Sequence, residues 1–240
     1  MKKLTDYSFK KLSVPVSTPK IAVYLEFGAM PLSLVLQVRR LNYLHSVLRS
    51  PKAGMLYKFF YVQWNFPSKG DWTELVKKDL KDFRLSWELE TLAGMTKEAF
   101  KRMIKIKAQE RAFNLLNSRK REYKKLDRLE YMELKVQNYL EDQKLSFEDK
   151  KFIFLFRTRM ALFGENFRAG KDYSMCPLCK LHIDCQSLLL QCPELSAELK
   201  RKFGNDHLKS LDNIYSDRIR TVTVETLTFA YEARRQKLCD

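Results

Sequence analysis

The stretch SFEDKKFIFLFR, residues 146–157, decides the fold class. Ser146 with Asp149 three positions on is a helix-start signature, in which hydroxyl and carboxylate each satisfy a backbone N–H that the first turn leaves without a partner. The run that follows, Phe152, Ile153, Phe154, Leu155 and Phe156, is apolar on nearly all sides of a helical wheel. Such a helix is stable only when buried among others, so it is read as the central helix of a bundle. No purely apolar run in the chain exceeds five residues, against the roughly twenty that a bilayer span requires, and no membrane partner is expected.

Helical periodicity extends outward from this stretch. Leu34, Val38, Leu41, His45 and Leu48 recur at three- and four-residue steps while Gln37, Arg39, Arg40 and Asn42 fall elsewhere, an amphipathic helix that Pro51 ends. An aromatic-rich helix is predicted over 55–64, followed by a Pro67-Ser68-Lys69-Gly70 turn. Asp71 and Glu74 then start a helix whose face carries Trp72, Leu75, Val76, Asp79, Leu80 and Phe83. Thr96 caps a longer helix with the stripe Phe100, Met103, Ile104, Lys107, Ala108, Arg111, Ala112 and Leu115, where Lys107 and Arg111 are either snorkelling edges or functional. A charged helix or helix pair is predicted over 119–140, and further helices over 196–203 and 208–235, within which Thr221-Val-Thr-Val-Glu-Thr leans towards strand. Residues 1–20, interrupted by Pro15 and Pro19, read as irregular, with regular structure beginning after Pro31.

The fold class is therefore mainly α: a multi-helix bundle with a small zinc-knuckle-like insert near the C-terminus. Its expected divisions are an irregular basic lead (1–30), a helical bundle (31–165), the knuckle-like segment (166–195) and C-terminal helices (196–240). At 240 residues and 45% hydrophobic the chain can bury a core, and 7 Gly with 7 Pro are too few for a small-strand sandwich or barrel. Five cysteines are an odd number, and Met-Lys-Lys-Leu-Thr-Asp-Tyr at the start has no apolar segment behind its lysines. An intracellular protein, nuclear or cytoplasmic and not secreted, is expected.

The insert is CPLCKLHIDCQSLLLQC, residues 176–192. A Cys-x-x-Cys turn aims two sulfurs at one point, and zinc takes four N or S ligands tetrahedrally. Cys176, Cys179 and Cys192 supply three. The position one helical turn before Cys192 is Leu188, which cannot ligate, so the fourth ligand falls to His182 from the loop or to Cys185. Cys185 reaches the ion only if the helix begins after it, and His182 is favoured. The plainer alternative is ordinary reduced cysteines packed beside leucines.

Charge is the second signal. The chain carries +16, and residues 97–128 hold twelve basic and four acidic residues, a difference of +8. Lys101, Arg102 and Lys105, with Lys120, Arg121, Lys124 and Arg128, lie at helical steps that can follow a phosphate backbone, and Arg119, Lys125, Arg157, Arg159 and Arg168 are further candidates. A solvated face without a partner is the plainer alternative. Nucleic-acid binding, RNA or DNA with weak sequence preference, is the expected function. Catalytic motifs fail on inspection. The stretch from Gly164 to Lys171 has five residues between its glycines where a phosphate loop needs four, and Asp172 stands where that loop has Ser or Thr. His45, His182 and His207 are scattered, and no carboxylates sit in the close pairs of a two-metal site.

Many short matches share one order: Thr18-Pro19-Lys20-Ile21, Tyr24-Leu25-Glu26, Met30-Pro31, Arg39-Arg40-Leu41, Tyr43-Leu44-His45, Lys58-Phe59-Phe60, Gln63-Trp64, Asp71-Trp72, Arg157-Thr158-Arg159-Met160, Asn166-Phe167-Arg168, and the Cys-Pro-Leu-Cys turn with Leu189-Leu190-Gln191-Cys192. Over about residues 18–200 the chain resembles the C-terminal, post-polymerase region of reverse-transcriptase polyproteins from non-long-terminal-repeat (LINE-type) retrotransposons of animals. The resemblance implies a thumb- or connection-like helical region with a knuckle of two cysteines, a histidine and a cysteine, contacting template RNA or target DNA. The family's histidine falls on Leu188, and the Tyr-x-Asp-Asp turn of the polymerase and an upstream endonuclease are not found in these residues. A non-catalytic, detached or domesticated nucleic-acid-binding tail is the resulting expectation. Its rivals are a protein-interaction module using Tyr57, Phe60, Trp64 and Trp72 to hold a protein partner, and a decaying open reading frame.

Overall fold

The computed structural model describes Pro15 and residues 17–164, 175–216 and 219–239. The lead before Pro15, the phosphate-loop-like residues 165–171 and Arg168 lie outside the described residues. The protein is mainly helical, as expected. Among the described residues there is no strand, only two isolated antiparallel bridges, Phe27 with Val136 and Met175 with Ile183. The chain forms two compact units, 30–117 and a second made of 1–29 with 118–240.

The 30–117 unit follows the sequence pattern closely. Helix α2 (Leu32–Leu48) buries Leu34, Leu41, His45 and Leu48. Helix α3 is Met55–Asn65, and α4 (Trp72–Asp82) starts where the Asp71 side chain accepts the Glu74 N–H. Val76 and Leu80 of α4 are fully buried. Asp79, on the same face, is neutralised from α2: Arg40 Nε donates to its Oδ2 at 2.6 Å and Gln37 Nε2 to its Oδ1 at 2.8 Å. A short α5 (Leu89–Gly94) leads to the long α6 (Lys97–Lys120), whose stripe Phe100, Ile104, Ala108 and Ala112 is fully buried. Arg111, which interrupts that stripe, donates to the Asp82 carbonyl at 2.5 Å and pairs with its carboxylate at 3.3 Å, so it is a tie between helices.

In the other unit two sequence expectations need correction. Regular structure begins earlier than Pro31, with α1 (Lys20–Glu26), whose Ala22, Val23, Tyr24, Leu25 and Glu26 are buried. Seven residues are too few to display a helical stripe, and its stability comes from contacts more than a hundred residues away. Gly28 ends this segment at φ +58°, where a Cβ would lie 2.4 Å from the Lys135 carbonyl carbon. The charged helix predicted over 119–140 is also absent. α6 stops at Lys120, and the chain then runs through a 3-10 turn (Lys124–Leu126) to the single-turn α7 (Asn138–Glu141). Leu126, Leu129, Tyr131 and Leu134 are buried at steps of two and three, a spacing no α-helix face provides. The helix expected over 208–235 is present in two pieces, α10 (Ser210–Asn213) and a long one from Thr221, and the strand-leaning Thr221–Thr226 segment is helical. It opens α11 (Thr221–Cys239), where Thr223, Val224, Thr226, Leu227, Ala230 and Arg234 form the buried stripe, so tertiary burial overrides β propensity.

Helix α8 (Phe147–Arg157) has both hydrogen bonds of the capping box and buries Ile153, Phe154 and Phe156 completely. It shares a core with α9 (Pro193–Phe203) and α11. Arg157, expected to contact phosphate, is 1% exposed. Its Nε donates to Glu26 Oε1 at 2.9 Å, Tyr131 donates to the same oxygen at 2.6 Å, and Arg157 Nη1 donates to the Ile214 carbonyl at 2.8 Å. A guanidinium so enclosed is a core tie, with no surface to offer a ligand.

Candidate metal-binding turn and basic segment

Cys176, Cys179 and Cys192 come together. Their sulfurs all lie within 4.8 Å of one another, and Cys176 and Cys192 are 3.8 Å apart. A disulfide requires about 2.05 Å, so these are thiols. Four sulfurs at about 2.3 Å from a zinc ion sit about 3.8 Å apart, a spacing that the Cys176–Cys192 pair matches. The turn is built locally. Met175 bridges Ile183, the Cys176 N–H donates to the His182 carbonyl at 2.6 Å, and the Lys180 N–H returns to the Cys176 carbonyl at 3.0 Å. Lys180 takes φ +53°, a left-handed conformation that glycine adopts more easily. Burial opposes the Cys179 thiolate, but backbone N–H groups of Leu181 and His182 and the two neighbouring thiols outweigh it and lower its pKa. Burial pushes the Cys192 thiol up to about 12. Three cysteine sulfurs gathered at one point are the donor set a soft cation suits.

Cys192 is the N-cap of α9, and the residues before it (Gln186–Gln191) are a 3-10 helix, not the α-helix expected. That helix does start after Cys185. Leu188, His182 and Cys185 line the same small cavity as the three cysteines. The His182 and Cys185 ligand atoms lie outside the three-sulfur group, His182 is exposed, and the Cys185 sulfur is 3.2 Å from the Ser187 hydroxyl. What anchors the turn carries no motif in the sequence. Asp184, 4% exposed, is gripped by Nε and Nη2 of Arg234 from α11 and accepts the Gly164 N–H at 2.5 Å. The signal was a lone acid in the insert and the first of two adjacent arginines fifty residues on, which no motif connects.

The basic candidates divide by unit. Lys101, Arg102 and Lys105 are exposed on the first half of α6, in the 30–117 unit. In the other unit Arg119, Arg121, Lys124 and Arg128 are exposed within ten residues, and among the described residues none of their charged groups is in an ion pair. Lys120 and Lys125 are half-buried. The Lys120 ammonium donates to the Leu129 carbonyl, and burial lowers its pKa. Lys120 therefore holds the segment's shape more than it extends its charge. Arg159 sits at φ +52° just past α8, where the Met160 N–H returns to the Leu155 carbonyl at 2.8 Å, and its guanidinium lies 3.8 Å from Asp127.

Of the aromatic residues considered for protein contact, Phe60 is buried and Tyr57, Trp64 and Trp72 are half-buried. The exposed apolar members of α3 are Met55, Leu56, Phe59, Tyr61 and Val62, with Phe66 just beyond. No described helix is long and apolar enough to cross a membrane. Compared with protein-family models, with curated proteins and with solved structures, the chain gives no match.

Proposed function

We propose that this protein is a non-catalytic nucleic-acid-binding module, corresponding to the knuckle-bearing tail of a LINE-type retrotransposon reverse transcriptase, detached or retained by a host. The observation that carries the reading is the exposure of Arg119, Arg121, Lys124 and Arg128 within one ten-residue segment, free of ion pairs among the described residues. Released counterions from four such contacts supply binding that is strong at low salt and indifferent to sequence. Zinc is the proposed metal, held by Cys176, Cys179 and Cys192 with His182 as fourth ligand and Cys185 as the alternative. The separation of 3.8 Å between Cys176 and Cys192 supports it. The metal's role would be structural, fixing a turn that Asp184 and Arg234 join to α11.

Anisotropy titration of labelled duplex and single-stranded oligonucleotides at low salt tests the reading. Binding that weakens steeply as salt is added is expected, and absence of binding at low salt overturns it. A second reading, a protein-interaction module, is favoured by the exposed apolar residues of α3 (Met55, Leu56, Phe59, Tyr61 and Val62), more than isolated surface residues usually amount to.

A further inference from the structure

The basic segment does more than present charge. A cavity of about 580 Å³ opens between it and the turn after α8, lined by Pro19, Tyr123, Lys124, Lys125, Met160 and Leu162 among others. That volume is within the usual range of small-ligand pockets, roughly 300–1,000 Å³. Its floor is apolar: Met160 is 9% exposed, beside buried Ala161 and prolines 15 and 19. Tyr123, 39% exposed, is the aromatic residue among its described lining residues. Exposed Lys124 and half-buried Lys125 also line it, and among the described lining residues Glu122 is the one carboxylate. The backbone that frames it is fixed by the 3-10 turn Lys124–Leu126 on one side and by the left-handed Arg159 on the other.

An apolar slot lined by one aromatic ring and two cations matches a nucleotide by parts. The flat base stacks on the ring and displaces water from the apolar floor, while the flanking phosphates meet the lysines. A duplex cannot offer an unpaired base without the cost of unstacking it; a single strand can. Resting on the nucleic-acid reading above, we infer that this cavity receives one unstacked nucleobase, so that the protein prefers single-stranded nucleic acid to duplex. Glu122, which also lines the cavity, offers an acceptor for an N–H of a base edge.

The test uses the full chain with a twelve-nucleotide single strand carrying 2-aminopurine and with the same sequence as duplex, at one salt concentration. The single strand is expected to bind at least about five-fold more tightly, with a change in 2-aminopurine fluorescence on binding. Tyr123→Ala is expected to weaken single-strand binding roughly 5- to 100-fold while leaving duplex affinity and the salt slope near their original values, and Tyr123→Phe to retain single-strand affinity. Equal affinity for both forms, or a Tyr123→Ala variant that loses nothing or loses both forms equally, overturns the cavity's role while leaving phosphate binding intact. Absence of binding to either form overturns the underlying reading itself.

Discussion

Asp184 and Arg234 form a buried two-pronged ion pair, with Nε and Nη2 of the guanidinium each donating to a separate carboxylate oxygen. The pair joins the cysteine turn to α11, and the Arg234 guanidinium also lies 4.8 Å from the Phe163 ring. Removing one partner strands a charge in the core. Asp184→Asn or Arg234→Met should lower unfolding free energy by about 3–5 kcal/mol, read by denaturant titration. A loss under 1 kcal/mol would mean that the pair does not anchor the turn.

A similar cost is expected at the other buried pair. Arg157→Met leaves Glu26, fully buried, without its cation and should destabilise by about 3–5 kcal/mol; Glu26→Gln added to it should recover part of that loss. Below its transition temperature the Arg157→Met protein should keep the wild-type salt dependence of nucleic-acid binding. A shallower dependence would show that Arg157 reaches phosphate after all.

Alkali should weaken the fold in a defined window. Burial pushes the Tyr215 phenol up to about 12 and holds those of Tyr131 and Tyr139 well above their ordinary value. A phenol whose folded pKa exceeds its unfolded one contributes stability that is fully present below the unfolded value, about 10, and is lost as pH rises through the folded one. Stability measured from pH 9 to 12 should therefore fall above about pH 10, and Tyr215→Phe should reduce the fall. A flat profile would contradict the burial of these rings.

Protein purified without chelator should carry close to one zinc per chain. Cys176→Ser and Cys192→Ser should lose it and lower stability. Leu188→His should raise zinc affinity in competitive titration, whereas His182→Ala should lower it in the wild type and matter little beside Leu188→His. Affinity should fall with falling pH, because the ion must displace a proton from Cys192, whose thiol burial holds near 12. A metal-free preparation in which Cys176→Ser changes nothing would reduce the cysteines to packing groups.

The helices of 30–117 were legible because their buried residues repeat at helical steps and their starts carry Asp71 and Thr96. The three-cysteine group was legible for a chemical reason: few side chains can share an ion, and their spacing is short. Residues 121–137 were misread because charge recurs at helical steps while the apolar residues that fix the chain, Leu126, Leu129 and Tyr131, do not. The α1 helix and both buried ion pairs were invisible because each depends on partners far along the chain, 131 residues apart for Glu26 and Arg157. Arg157 and Lys120 show the limit of charge counting, since a basic residue enters the sequence total whether it faces water or a carbonyl.

The proposed phosphate contacts of Arg119, Arg121, Lys124 and Arg128 are tested most directly by the salt slope on duplex DNA, because duplex binding does not depend on the cavity. With four to eight phosphates engaged, log affinity against log salt should slope at roughly −4 to −7 in the wild type. Changing the four residues to Glu, with Lys120 left to hold the segment, should remove most of the affinity and make the slope shallower by about 3–4. An unchanged affinity and slope in that variant would contradict the account.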